Sequence, residues 1–200
     1  MENNNLLKHI AETGYNVGYS AKLHFASFEM IEKLPRLLSF ISLAFGVYAL
    51  AFAEISTKLT SSTLLVLGLI GIYISHKNSD KNNYEQKGIA LTGFFNDLKH
   101  LMAEVKTNTK SAQEASETLK NIEKSYNTCC ASDHPMFATW FAHYKFFWEQ
   151  QTAWIEEHRP FSFWRDKIPL SLWFTIFLIT MGSVFWFSNI TTFICSIPKP

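Results

Sequence analysis

Two uncharged stretches, LLSFISLAFGVYALAFA at Leu37–Ala53 and LTSSTLLVLGLIGIYIS at Leu59–Ser75, decide the fold. A helix needs roughly 20 mostly apolar residues, within a range of about 17–25, to cross the hydrocarbon of a bilayer. Each stretch has 17 residues, and only Glu54–Lys58 separates them. The pattern therefore predicts an antiparallel pair of membrane-spanning helices. The alternative is a hairpin buried in a soluble protein, covered by the amphipathic remainder of the chain.

A third uncharged stretch, Ile168–Pro198, stands alone near the C-terminus and is long enough to span a bilayer without its neighbours. Aromatic and basic residues precede it between Phe161 and Lys167, which is typical of an interfacial anchor. The predicted fold is all-α: a polytopic membrane protein with a transmembrane helical hairpin, long cytoplasmic helices and a third C-terminal transmembrane helix. The segments are an N-terminal amphipathic part, the hairpin, a cytoplasmic helical domain and the interfacial segment with the third span, at 1–36, 37–75, 76–160 and 161–200.

The positions of Lys and Arg predict the orientation, because cytoplasmic loops carry an excess of both. Basic residues precede the first and third stretches and follow the second: Lys22, Lys33, Arg36, Lys77, Lys81, Lys87, Arg159, Arg165 and Lys167. The connection between the first two stretches carries only Lys58, and the C-terminal tail only Lys199. We therefore expect the N-terminus and residues 76–167 to be cytoplasmic, with the short connection and the C-terminus outside.

The remaining residues repeat apolar positions at helical spacing, and none of them alternates as a β-strand does. The stripes cover residues 15–34, 84–105, 112–126 and 137–155. No proline lies between Pro35 and Pro135, so the second span can continue directly into a cytoplasmic helix.

Single residues predict three helix boundaries in this cytoplasmic part. Thr109 or Ser111 is a candidate N-cap for the stripe over 112–126. Asp133, followed by Pro135, is a candidate N-cap for the aromatic stripe after it. That helix is expected to end at Arg159, because the residue before a proline avoids the helical conformation.

Small residues fall on one face of each predicted span. Helices associate in lipid through small residues that let their backbones approach closely. These faces are therefore expected either to pack helix against helix or to line a pore in an oligomer. In the hairpin they are Ser39, Ser42, Gly46, Ala49, Ala53, Ser61, Gly68, Gly71 and Ser75, and in the third span Ser171, Thr175, Gly182 and Asn189.

Asp, Glu, Lys and Arg are missing from the interior of all three spans. Proton-coupled and ion-coupled transporters usually need such groups, so the sequence disfavours a small transporter subunit. Glu54, at the outer end of the first span, is a possible pore mouth, although a carboxylate at a helix end commonly just stops the span. Asn189 is costly in lipid and is expected to contact another helix or a pore.

No enzymatic motif is present, and the sequence predicts neither catalysis nor a cofactor or metal site. It has no phosphate-binding loop, no dinucleotide fingerprint, and no GxSxG, HExxH or CxxC. The net charge of +1 gives no general attraction to nucleic acid. Four lysines in i,i+4 pairs could contact the phosphates of a ligand or simply form a solvated charged face: Lys106, Lys110, Lys120 and Lys124.

The segment YNVGYSAKLHFASFEMIEKLPRLLSF, the two-span hairpin and KNNYEQKGIALTGFFNDLKHLMAEV together resemble the SLATT family of two-transmembrane effector domains. The residues that carry the resemblance lie before the first span and after the second, over about residues 8–155: Tyr15, Tyr19, Lys22, Tyr84, Gly88, Leu91 and Leu98. Pro135, before an aromatic helix, also fits. The third span is additional to the two-span pattern.

The resemblance implies a pore-forming effector of bacterial antiviral defence in the inner membrane. Such an effector is expected to be a homo-oligomer in the lipid bilayer and to permeabilise it on activation. The implied trigger is a nucleotide or oligonucleotide signal made by a partner nucleotidyltransferase. The alternative is a membrane-anchored helical scaffold that recruits a soluble partner.

Overall fold

The computed structural model describes residues 2–52, 57–130 and 133–195, with side chains described as far as Val184. Every regular element in these ranges is helical, which confirms the all-α prediction. The chain divides into two compact units, Met1–Pro160 and Phe161–Pro200.

Two long helical rods form the frame of the first unit. Helix α1 (Glu2–Ala51) contains Pro35 and runs from the polar N-terminus into the first apolar stretch. Helix α2 (Lys58–His76) begins at Thr57, whose hydroxyl accepts a hydrogen bond from the Thr60 N–H at 3.2 Å. A 3₁₀ turn at Lys77–Asp80 joins α2 to α3 (Lys81–Lys106), so the predicted continuation of the second span is confirmed. The part of α1 after Pro35 and helix α2 form the apolar half of the rods, and the part of α1 before Pro35 and helix α3 form the polar half. Helix α1 packs against α2 in the apolar half and against α3 in the polar half.

Helix α4 (Ala112–Cys129) folds back along the polar halves of α3 and α1. Ser111 is its N-cap, one of the two predicted candidates. The Ser111 hydroxyl accepts from the Glu114 N–H at 3.3 Å, and the Glu114 carboxylate accepts from the Ser111 N–H at 3.1 Å. This reciprocal pair satisfies two backbone donors that a helix start leaves unpaired.

The aromatic stripe forms a broken element over residues 138–156, called the aromatic element below, instead of one helix, and its predicted start at Asp133 is wrong. Its last helical hydrogen bond runs from the Arg159 N–H to the Ile155 carbonyl at 2.8 Å, next to the predicted end before Pro160. Helix α5 (Ala138–Tyr144) continues as a π-helical turn to Glu149, and a separate short helix α6 (Ala153–Glu156) follows. Asp133 caps neither helix, because its carboxylate binds Lys77 and its carbonyl accepts from the Tyr84 hydroxyl. Phe137 occupies the N-cap position of α5 with φ of 69°.

The core lies in the polar halves of the two rods and the helices that cover them. Its largest fully buried side chains come from α1, α3, α4 and the aromatic element: Ile10, Val17, Leu91, Leu98, Leu101, Val105, Leu119, Phe146 and Ile155. Toward the apolar half the core ends in a small cluster of Ile31, Ile74 and Tyr84.

The second unit contains a short helix, α7 (Phe163–Asp166), and the long helix α8 (Leu170–Cys195). The Asp166 carboxylate accepts from the Ser162 N–H at 2.9 Å and so closes the first turn of α7. Trp164 and Trp173 pack together with ring centroids 5.8 Å apart. Helix α8 covers most of the third uncharged stretch, and its crossing of a membrane stays a prediction.

Candidate membrane hairpin

The apolar halves of the two rods are exposed. Both rods are long and apolar enough to cross a membrane, and the most apolar window of each is almost unburied, at 0% and 6%. Leu50, for example, is 91% exposed. A hairpin buried inside a soluble protein would show the opposite, because its apolar side chains would be covered by the fold. The described residues therefore give no support to the soluble alternative.

A shallow groove of about 330 Å³ separates the small-residue faces of α1 and α2 at the end nearest the core. Five of the predicted face residues line it: Ser39, Ser42, Gly68, Gly71 and Ser75. A Cβ at Gly71 would lie 3.6 Å from Leu38, an ordinary contact distance, whereas one at Gly68 would have no neighbour within 4 Å. The two faces thus meet loosely within one copy of the chain.

The remaining predicted face residues lie outside this groove. A Cβ built at Gly46 would meet nothing within 4 Å, and Ala49 and Ser61 are not among the lining residues. Ala53 and Glu54 lie outside the described residues. Their roles in packing or in a pore mouth stay predictions.

Along α8, one hydrogen bond joins two of the predicted residues. The Thr175 hydroxyl donates to the Ser171 carbonyl at 2.9 Å, so its polar hydrogen is bonded within the helix. A Cβ at Gly182 would meet nothing within 4 Å. The side chain of Asn189 lies outside the described residues.

The four lysines proposed as phosphate contacts fall into two pairs with different surroundings. Lys106 binds Glu157, and Lys110 lies 3.3 Å from Glu104. The hydrogen bond from Lys106 lowers the pKa of the Glu157 carboxyl. Lys120 and Lys124 lie on exposed positions of α4, away from both of these carboxylates in sequence. A phosphate-binding role stays a prediction for all four.

A buried polar junction, absent from the sequence predictions, binds the segment after α4 to the rods. His24 is 1% exposed, and its Nδ1 lies 2.7 Å from the Ser20 carbonyl, so this nitrogen carries the proton and donates. Burial lowers the pKa of His24, which favours the neutral ring. The His134 ring stands edge-on to it, with centroids 5.0 Å apart.

Serine and tyrosine hydroxyls complete this junction. The Ser27 hydroxyl donates to the Leu23 carbonyl at 2.8 Å and accepts from His134 Nδ1 at 2.9 Å. The Tyr84 hydroxyl and the Lys77 ammonium both bind Asp133. Because Lys77 directly follows α2 and Tyr84 lies in α3, these bonds connect the end of the apolar hairpin and α3 to the segment before α5. Partners more than 40 residues apart leave no local sequence pattern, which is why the cluster is not visible in the sequence.

The tyrosines that carry the family resemblance hold α1 against the aromatic element. Tyr15 meets Phe146 edge-on, with centroids 5.4 Å apart, and the Arg159 guanidinium lies 3.8 Å from its ring centroid. The Tyr19 hydroxyl donates to the Thr139 carbonyl at 3.4 Å. Burial and the neighbouring Tyr15 raise the pKa of Tyr19 to about 12, so it remains a neutral donor.

At three glycines in the polar half, an aromatic ring packs directly against the helix backbone. A Cβ at Gly18 would lie 2.6 Å from the Phe95 ring, and one at Gly88 would lie 3.1 Å from Phe25. Gly14 is covered in the same way by Trp154. Larger residues at these positions would displace the rings. Gly88 is among the resemblance residues, whereas nothing in the sequence singled out the other two.

The family model described as "SMODS and SLOG-associating 2TM effector domain 6" matches residues 1–176. No curated protein and no solved structure matches the chain. The matched region covers both rods, α4 and the aromatic element, and it ends inside α8. Most of α8 therefore lies beyond the match.

Proposed function

Because the chain belongs to this SLATT family of two-transmembrane effector domains, we propose that it is a pore-forming membrane effector of bacterial antiviral defence. The proposed protein is a homo-oligomer in the inner membrane, and a nucleotide or oligonucleotide signal from a partner nucleotidyltransferase opens it. The observation that carries the proposal is the exposed apolar half of α1 and α2, attached to a well-packed helical domain.

Several copies are required, since two or three helices cannot enclose an aqueous channel. Gly46 and Gly68 have open space beside them in one copy, and small residues allow close approach of helices in lipid. These faces are suited to meet the hairpins of neighbouring copies. A closed ring is the arrangement we expect, because most homo-oligomers adopt closed symmetry.

The proposed orientation places the N-terminus and residues 76–167 in the cytoplasm and the connection after α1 outside. Both rods pass from the cytoplasmic core into the apolar hairpin with no loop between the two parts. A ligand that shifts α3 would therefore move α2 as well, and α4 packs on both α3 and α1. Lys120 and Lys124 are the proposed phosphate contacts, since Lys106 and Lys110 already have carboxylate partners.

Ion flux from lipid vesicles tests the proposal. Purified full-length protein is expected to release ions once the correct signal nucleotide is added, and Gly46→Leu or Gly182→Leu is expected to reduce that release. Gly93→Leu is the matched control, because Gly93 lies in the cytoplasmic helix α3 and its added Cβ would also meet nothing within 4 Å. Flux equal to that of empty vesicles, with and without a full panel of nucleotide signals, would contradict the proposal.

A membrane-anchored scaffold is the second candidate, favoured by large exposed side chains on the aromatic element. Trp148 is 66% exposed, and Tyr144 beside it is also exposed. Exposed tryptophans are common anchors in protein interfaces. If Trp148→Ser abolishes defence in cells and leaves vesicle flux intact, the scaffold accounts for the function better than the pore.

A further inference from the structure

A second, larger groove of about 560 Å³ lies between α1 and the start of α5. Its walls are almost entirely apolar and come from Met30, Leu34 and Leu37 on one side and Phe137, Trp140 and Phe141 on the other. This volume lies within the range of about 300–1,000 Å³ typical of small-molecule sites. Neither the family match nor the proposed pore assigns a role to it.

The groove lies at the depth where a membrane surface would meet the protein. It extends along α1 from Glu29 to Leu37, and Leu37 is the first residue of the uncharged stretch. The eight residue steps from Glu29 to Leu37 correspond to about 12 Å of helix. The groove therefore opens beside the head-group region of the cytoplasmic leaflet. Tryptophan, found here as Trp140, is enriched at that depth in membrane proteins.

Phe137 shapes the mouth of the groove at a conformational cost. Its φ of 69° is in the left-handed region, which a bulky residue rarely adopts. The ring packs on Trp140 with centroids 5.2 Å apart. Strained residues of this kind cluster at ligand clamps and switch regions. The strained backbone of this wall residue is a second argument for a ligand in the groove.

The ion-pair network that begins at the groove residues Glu29 and Lys33 carries a small excess of positive charge. Glu29 accepts from Lys33 at 3.1 Å and from Lys145 at 2.5 Å. Burial favours a higher pKa for Glu29, but these two hydrogen bonds lower it overall, so the carboxylate stays ionised. Arg36 lies 3.9 Å from Glu32 on the same helix. Lys81 also lies 3.6 Å from Glu32, and Lys145 lies 3.9 Å from Glu149, so four cations stand against three carboxylates. Of these cations Lys33 lines the groove, and the small positive excess suits a phosphate group beside it.

We propose that this groove binds one acyl chain of a phospholipid from the cytoplasmic leaflet, with the lipid phosphate beside Lys33. The inference rests on the membrane placement in the proposed function and goes beyond it. A lipid chain fits better than a partner helix, because a helix is about 10–12 Å wide and two turns of it exceed the groove volume. Such a lipid would connect the bilayer to α5 and, through the Ser27–His134 bond, to the polar junction.

Photolabelling of the full-length protein in vesicles tests the proposal. The probe is phosphatidylethanolamine with a diazirine on one acyl chain, and labelled peptides are identified by mass spectrometry. We expect labelling of residues 137–141 as well as of the two spans. The Leu37→Trp variant, which places a larger side chain in the groove, should reduce labelling at 137–141 at least threefold. Leu50→Trp is the matched control on the same helix, since Leu50 is 91% exposed and far from the groove.

Each result has a definite meaning. Labelled spans with unlabelled residues 137–141 would overturn the lipid site and leave the membrane effector intact. Unlabelled spans would overturn the membrane placement itself and the lipid site with it. Equal labelling of 137–141 in Leu37→Trp and Leu50→Trp would also overturn the proposal. The elution volume of each variant on size exclusion shows whether it is folded.

Discussion

The two halves of α1 differ in what covers their apolar side chains. In the half near the N-terminus, Ile10, Val17 and Ala21 are buried against α3, α4 and the aromatic element. In the half after Pro35, side chains such as Leu43 and Leu50 are exposed. The glycines follow the same division, because Gly18 is filled by aromatic rings and Gly46 faces open space. The apolar side chains of one half are covered within a single chain, whereas those of the other half are left exposed, and we propose that lipid and neighbouring copies cover them.

The largest expected effect comes from placing a charge on the apolar half. Leu69 in α2 and Ile89 in α3 are 59% and 60% exposed, so they differ in surroundings and hardly in accessibility. An arginine at the centre of a span costs about 2.5–3.5 kcal/mol on insertion. Leu69→Arg should therefore reduce the fraction of protein that stays in membranes after an alkaline wash, while Ile89→Arg should not. Equal retention of the two variants would contradict the expectation that Leu69 faces lipid and Ile89 faces water.

A smaller effect, on the stability of the fold, is expected from adding a methyl group at the glycines that aromatic rings cover. In Gly18→Ala the new methyl group would overlap the Phe95 ring, and overpacking of this kind costs about 1–3 kcal/mol. Gly46→Ala meets no neighbour and should leave stability unchanged or slightly higher. Thermal unfolding in detergent measures both. If Gly18→Ala is as stable as Gly46→Ala, the polar half is packed less tightly than the structure indicates.

Mild acid should destabilise only the polar half, because residues 37–52 and 59–75 carry no histidine and only one ionisable type, tyrosine. Burial lowers the pKa of His24 in the folded state, so the unfolded chain binds more protons below the ordinary histidine pKa. The contribution of neutral His24 to the free energy of unfolding is therefore complete above about pH 6.5. It decreases as the pH drops from there toward the lowered pKa, by at most about 1.4 kcal/mol per pH unit. His24→Asn should show a shallower loss of melting temperature over this window. Parallel curves for the two proteins would exclude His24 as the source.

The smallest expected effect concerns the helix caps. Ser111→Ala removes the capping box of α4 and should lower the stability of the polar half by about 1 kcal/mol. Thr57→Ala removes the cap of α2 and should matter less, since a membrane-spanning helix is held by its own backbone bonds in a solvent that offers no others. Chemical denaturation followed by circular dichroism compares the two variants. A larger loss in Thr57→Ala would reverse the expected order.

The long elements of this fold could be predicted from the sequence because their causes are local. The uncharged stretches at 37–53 and 59–75 and the cap at Ser111 depend on neighbouring residues only. The start of α5 could not, because Asp133 is occupied by Lys77, a residue 56 positions away. Nothing in the sequence distinguishes Gly18 from Gly46. Only the structure shows that aromatic rings pack on Gly18, in the core, and that Gly46 lies on an open helix face.

Crosslinking between copies in membranes tests the central claim most directly. The full chain, with Cys129, Cys130 and Cys195 replaced by serine, would carry Gly46→Cys or, as the control, Gly93→Cys. If hairpins meet through their small faces, oxidation of Gly46→Cys should give covalent dimers in the bilayer, and Gly93→Cys should stay monomeric. Crosslinking of Gly46→Cys no greater than that of Gly93→Cys would contradict the account.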